Sequence, residues 1–482
     1  MSIYDKKLKE YPWSKATAQM TDLLSMMKKY QGSVRFPLHP AYDAKLLESF
    51  GPGMKVPYIF TSVDDEITAY ERSAWIGTVL MNSPIYDVIG PDAAKFLSSV
   101  CINDFTKQKL DGIRHAVICN EKGQILDDGV VFRLAEDHFR TYWLNPPLDY
   151  LMQTTDMDVK GVDMSGKEYF IQIDGVKSLE ILEDAFQQDL HDIQFAKTRM
   201  LKVGNKDVRI LRLGMSGTLA YEIHGPMKDF REIYGKVWES GKKFDARRMS
   251  FTTYSVYNHT EGGFPNINMH YAMPWLSSGE GLKDYLLKRP MLGMFNLPDM
   301  PLYGSVGNDL ETRYATPYDV GWGFLVNYNH DFPGKEALKK YSENVRRTPV
   351  TLEWNPEDVG KVIANNLTPG AQLTDDISKS SDMDSVKALL EGYSYHHDWV
   401  LKDGEKVGVS AGRIISYTHN SMISLGFIRP DLAVEGNKLT VLWGTPGNTQ
   451  FEVRATIKQY PYNSDRITSN KEFDVNTIPK RF

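Results

Sequence analysis

The chain lacks most of the signatures that would declare a special chemistry outright. Only two of its 482 residues are cysteine, Cys101 and Cys119. They form neither a C-x-x-C pair nor a zinc spacing, so a disulfide framework and a thiolate metal site are excluded. Both sit in apolar surroundings (LSSVCIND and HAVICNE), as small buried thiols do. No run approaches the ~18 apolar residues of a membrane helix. The first fifteen residues, MSIYDKKLKEYPWSK, are charged and carry no apolar signal region. A soluble, cytoplasmic protein is the expectation. Basic charge is not in excess either: 56 Lys and Arg stand against 62 Asp and Glu, net −6. Nucleic acid and anionic membrane are therefore not expected partners. There is no H-E-x-x-H, dinucleotide glycine fingerprint or phosphate loop. No metal is called for. His396 and His397 are adjacent, so on a strand they point to opposite faces and make a poor ligand pair. Asp64-Asp65-Glu66 reads as solvated surface.

What is present is ordinary globular composition, 41% hydrophobic and 24% charged, with abundant aromatics (26 Tyr, 9 Trp) that suit flat ligands. The length exceeds one simple core, so two or three domains are expected. Residues 14–30 have helical periodicity. From about 76 to 145, and again from 169 to 250, short strands alternate with a few helices, which is an α+β pattern rather than a long parallel series. Residues 251–345 are loop-rich and aromatic. After the charged linker KKYSENVRRTP, strand-like pieces separated by turn residues predict a C-terminal β-barrel or sandwich. Residues 374–390 look like an insertion with one helix. The division is 1–345, two α+β lobes, and 346–482, the β domain.

One acid stands out. LRLGMSGTLAYEIHGP (211–226) is a hairpin in which Glu222 interrupts the apolar second strand. It is either on a solvated face or a carboxylate aimed inward, able to accept two N–H bonds from a planar heterocycle. A second oddity is NEKGQILDDGVVFRL (120–134), where Asp127 and Asp128 enter an apolar strand on opposite faces, so that one of them must face inward.

With GWGFLVNYNHDFPGKEAL (321–338), read as strand, turn and helix start, and KVGVSAG (406–412), these stretches resemble the hallmark motifs of the aminomethyltransferase family, that of the glycine cleavage T-protein. The four stand in the family's order, over about residues 75–460. The resemblance implies a multi-lobed tetrahydrofolate-binding domain followed by a β-barrel. It implies that Glu222 binds the pterin, with Tyr221, Asp174, Phe264 and Glu261 as further cofactor contacts, and that Asp127 is the catalytic acid. The stretch RRMSFTTYSVYNHTEGGFPNINMHYAMPW (247–275) departs from the T-protein. It is more similar to the tetrahydrofolate-dependent aromatic O-demethylases, as are LTVLWG and the terminal Tyr460-Pro461-Tyr462.

In that branch a tyrosine protonates the departing phenolate. Alignment on Glu261 puts Ser255 at that place with Tyr254 beside it. Tyr254 is thus the expected acid, with Tyr257 and His259 behind it. The branch's arginine for a benzoate carboxylate falls at Trp143-Leu144-Asn145, which has no cation. Leu144 and Asn82 are then expected to line the donor. A carboxylate would need Arg35, or the donor is neutral, such as a guaiacol-like ether or a methylenedioxy lignan. The expected reaction is transfer of a methyl group from a small methoxylated aromatic to tetrahydrofolate. A sulfonium or amine donor and a non-catalytic folate-binding role are the alternatives. Oligomeric state is not legible.

Overall fold

The computed structural model describes residues 2–6, 46–49, 55–79, 84–250, 253–267, 269–288, 302–378 and 394–482. Arg35, Asn82, the 14–30 helix and most of the 374–390 insertion lie outside these residues.

Three sheets organise the molecule. A five-stranded antiparallel sheet runs in the order Ile113–Cys119, Ile125–Ala135, His138–Trp143, Ile85–Ile89, Lys160–Asp163. A six-stranded sheet runs Thr198–Val203, Lys206–Leu211, Ala220–Pro226, Glu168–Asp174, Trp75–Gly77, Arg247–Met249, with only the last pair parallel. Its helix-side face packs on Ser178–Phe186 and Phe230–Lys243, which are amphipathic and bring Leu179, Leu182, Ile233 and Val237 to Ile171, Ile173, Tyr221 and Ile223. The barrel strands are Ser394–Lys402, Glu405–Ser416, Ser421–Ile428, Thr348–Trp354, Phe451–Lys458 and Lys438–Trp443. They close because Trp399, Val400 and Leu401 pair with Leu442, Val441 and Thr440. Closure leaves no open edge among these six strands.

The α+β lobes and the terminal barrel agree with the sequence reading. Two local expectations fail. Residues 321–326 do not form a strand. Gly321 takes φ +81°, and Gly323–Leu325 is a single 3-10 turn that leaves Phe324 82% exposed. Glu66 is not on the surface. It is fully buried and accepts the N–H groups of Phe60, Thr61 and Ser250 and the hydroxyl of Thr253. Local charge density suggested a solvated run; four donors converging from distant segments bury it instead.

The chain does not end at the barrel. Residues beyond Lys458 return to the six-stranded sheet, where Asn470 Nδ2 donates to Ala220 O and Arg212 donates to Asn470 Oδ1. His191 links Glu183 and Asp189 to Ile478 O and uses both ring nitrogens. That makes the cluster a tail fastening, although its ligand atoms lie close enough together to suggest a metal.

Candidate active site

Glu222 stands mid-strand, paired with Gln172, which in turn pairs with Gly77. Register places Glu222 and Gln172 on one face, with Asp174 two residues along from Gln172 on the same face. All three are buried, so the solvated reading of Glu222 does not hold. Glu222 Oε2, Gln172 Oε1 and Asp174 Oδ1 have no hydrogen-bond partner. His224 Nε2 lies 3.3 Å from Glu222 Oε2 without hydrogen-bonding geometry. Burial, and secondarily the Asp174 charge, push the Glu222 carboxyl up to about 8. Asp174 is pushed up to about 7 by burial, even though its Oδ2 accepts the Met215 and Ser216 N–H groups at 3.0 Å each. Those two bonds tie the hairpin loop to the neighbouring strand. The loop passes Asp174 at Gly214, where a β-carbon would collide with Ala220 and press on the carboxylate.

Tyr254 reaches this row from another element. Thr253–Asn258 is a π-helical turn leading into His259–Glu261, the wide-turn geometry that recurs at functional sites. Glu66 anchors its first residue. Gln172 Nε2 donates to Tyr254 Oη at 3.4 Å. The Tyr254 ring stands edge-on to Trp75 (6.1 Å, 81°) and to His259 (5.7 Å, 84°). Burial raises the Tyr254 phenol well above its usual range, with Glu222 and Asp174 adding to the effect. It therefore keeps its proton at neutral pH. His259 shares Nδ1 with Phe264 O at 3.0 Å, and burial lowers it to about 4. His259 is thus a neutral imidazole whose Nδ1–H points at a carbonyl, and it is no acid at pH 7.

Phe264 continues the wall, 6.0 Å from His259, 5.4 Å from His115 and 5.4 Å from Trp322 between ring centres. Beyond it the aspartate pair resolves as strand alternation requires. Asp128 accepts from Tyr271 Oη (2.7 Å) and shares a hydrogen bond with His115 Nε2 (2.9 Å). Asp127 lies on the opposite face, level with Ile118, and is fully buried. Its carboxylate accepts the Asp128 N–H at 3.0 Å. The resemblance pointed to the first aspartate; the structure brings the second to the aromatic wall.

The other expected residues disperse. Tyr221 points into the helix-packed core, opposite Glu222. Tyr257 stacks on Tyr417 of the barrel (6.0 Å, 29°). Glu261 also faces the barrel, accepting from Thr418 Oγ1 at 3.1 Å, with its carboxyl pushed up by burial to about 7. Leu144 is fully buried in an apolar cluster with Leu148 and Tyr150. Gln172, His224, Asp128, His115 and Trp322 were not picked out in advance as site residues. A signal existed for Gln172, a lone amide inside the apolar strand YFIQID. For His115 and Trp322 none did, because their meeting depends on segments 200 residues apart in sequence.

The model of the GCVT N-terminal domain matches residues 36–268. A sesamin methylene transferase from Sinomonas sp. is 46% identical over 438 residues, 90% of this chain and 95% of that protein. A syringate O-demethylase from Sphingobium sp. is 27% identical, covering 85% of this chain and 91% of its own. The crystal structure of the glycine cleavage system aminomethyltransferase T from Bartonella henselae superposes with a TM-score of 0.61 at 16% identity, over 87% of this chain and 95% of that one, and so shares the fold. With lobes, barrel, hairpin glutamate and a close full-length relative in agreement, the chain belongs to the aminomethyltransferase family.

Proposed function

We propose that the protein moves a one-carbon unit from a neutral methylenedioxyphenyl donor of the lignan type to tetrahydrofolate. As a member of its family it is a one-carbon transferase. The folate half of the reading is carried by one observation: three buried acceptor atoms on one sheet face, on Glu222, Gln172 and Asp174, lack donors. Leaving such groups unpaired costs on the order of 1–3 kcal/mol each. A pterin edge is rich in N–H groups and fits this row, with Glu222 accepting the ring N–H and the exocyclic amine side by side. Tetrahydrofolate, when bound, supplies the nucleophilic nitrogen.

The protein's own groups do the rest. Glu222 gives up its proton as it takes the pterin donors and fixes the ring plane. Tyr254 holds its proton until an aryl oxygen begins to leave. Phenolate leaves poorly at neutral pH unless protonated, because its conjugate acid has a pKa near 10. Proton transfer from Tyr254 Oη removes that obstacle, and Gln172 Nε2 remains to hydrogen-bond the tyrosinate. Trp75 and His259 keep the phenol in one orientation.

Two observations support the donor. The 46% identical relative is named for methylene transfer from sesamin. The place where an arginine would meet a carboxylate is Leu144, packed in an apolar cluster. The 27% identical relative, named for syringate, supports a methoxylated donor as second reading. Incubating the protein with tetrahydrofolate and sesamin, guaiacol or vanillate, with mass spectrometry of both product pools, tests the proposal. A catechol together with a methylene-bridged folate is the expected outcome. A methyl folate from guaiacol alone would move the donor to the second reading. Unchanged folate with every donor would sink both.

A further inference from the structure

A methylenedioxy bridge has two aryl oxygens, and each must gain a proton before it departs as a phenol. Tyr254, on the π-helical turn beside the six-stranded sheet, serves one. Across Phe264, the five-stranded sheet presents a second set of proton-handling groups. His115 lies in the strand Ile113–Cys119 and Asp128 diagonally across from it on the same face, since Val117 pairs with Asp128 and His115 with Val130. Asp128 Oδ2 is 2.9 Å from His115 Nε2, and Tyr271 Oη donates to Oδ1 at 2.7 Å. A carboxylate offers only acceptors, so the hydrogen on the shared bond sits on Nε2. Nδ1 then carries the lone pair, and it has no partner among the described residues. The Trp322 edge (4.6 Å, 88°) and Phe264 (5.4 Å, 48°) hold the ring.

His115 differs in this from the histidines that fasten chain segments together. The structural histidines His191, His270, His396 and His397 each use both ring nitrogens in hydrogen bonds. His115 leaves Nδ1 open, with 18% of its side chain exposed, beside the aromatic wall.

We propose that His115, oriented by Asp128, is the second proton carrier of the site and serves the second aryl oxygen of a methylenedioxy donor; this rests on the donor reading above. Overall, the two bonds from the methylene carbon to the aryl oxygens break and two bonds from that carbon to nitrogen form. The two N–H protons of the acceptor end on the two phenol oxygens, and nothing is oxidised or reduced. Nδ1 takes one of those protons, Asp128 stabilises the resulting imidazolium, and the same proton passes to the second oxygen.

The test has a binding arm without folate and a kinetic arm with it. By calorimetry on folate-free protein, the catechol released from sesamin should bind ~10-fold more tightly than its methyl ether, the worth of one hydrogen bond to this pair. In His115→Gln the two should bind within about twofold of each other. With folate present, kcat for sesamin should fall ~10²-fold or more while KM moves only a few-fold. Asp128→Asn keeps the volume and should shift both arms the same way, so it decides the matter if His115→Gln does not fold. An unchanged catechol preference, together with sesamin turnover within about threefold of wild type, would overturn the role of His115. If the wild-type protein releases no catechol at all, the donor reading falls instead, and the binding arm still decides whether His115 reads a phenol hydroxyl.

Discussion

Two groups of buried ionisable side chains lie far apart in the chain and differ in one respect. In the barrel, His396 sits between Asp398 (2.8 Å) and Asp375 (3.0 Å) and stacks on Trp443. Asp375 also accepts from Thr445 and Asn448, and its carboxyl is held well below the usual range. Glu222, Gln172 and Asp174 are buried as well, yet acceptor atoms are left over and both carboxyls are pushed up. Burial alone is therefore uninformative. A closed network ties chain segments together, whereas one with spare acceptors of one polarity is shaped for a donor-rich ligand. Substitutions in the two groups should act on different quantities.

The largest effect is expected at Tyr254. Tyr254→Phe keeps the edge contacts with Trp75 and His259 and removes only the proton. Turnover should fall ~10²–10⁴-fold with little change in folate or donor affinity. The loss should shrink for donors whose phenols are more acidic. Turnover like that of wild type across such a series would exclude Tyr254 as the acid.

On the barrel side, Asp375→Ala removes one of the two carboxylates on His396 and strands the donors of Thr445 and Asn448. It should cost about 3–5 kcal/mol of stability, read by denaturant unfolding. Folate affinity, measured where the variant is folded, should stay within about threefold. A stability cost below about 1 kcal/mol would dissolve the contrast, because the satisfied network would then hold nothing.

Glu222→Ala should reverse that pattern. Tetrahydrofolate binding should weaken by about 1.5–3 kcal/mol, the value of charged hydrogen bonds within a buried site, with unfolding nearly unaltered. An unaltered calorimetric dissociation constant would remove Glu222 from the site.

How much of this was readable in advance follows from the range of each interaction. Period-two alternation and turn residues placed most strands, because those signals are local. The family's hairpin stretch made Glu222 an expected site residue for the same reason. Choosing between Asp127 and Asp128 needed the facing strand, and separating Tyr254 from Tyr257 needed the π-helical turn that sends one to Gln172 and the other to Tyr417. Glu66 and His115 were opaque because their partners come from distant segments. Gly321–Val326 reads as a strand by composition, and only the left-handed glycine at 321 shows why it turns.

The smallest predicted effect concerns pH and isolates the cost of the unused acceptors. An unfolded glutamate ionises near 4.3, and folded Glu222 near 8. Between those values the native state holds a proton that the unfolded state has released, so the folate-free protein loses stability as pH rises through this window. Below the window both states are protonated and the effect vanishes. Glu222→Gln cannot ionise. It should come closest to wild type at pH ~5 and be the more stable of the two at pH ~8.5, once the Asp174 contribution common to both proteins is set aside. Saturating tetrahydrofolate should reverse the order at the higher pH, because only the carboxylate accepts both pterin donors with a full charge. Thermal unfolding at the two pH values, with and without folate, reads all four corners. A Glu222→Gln difference that is the same at both pH values would mean that the carboxyl is not ionising across the window, and that the contrast with the barrel does not rest on charge.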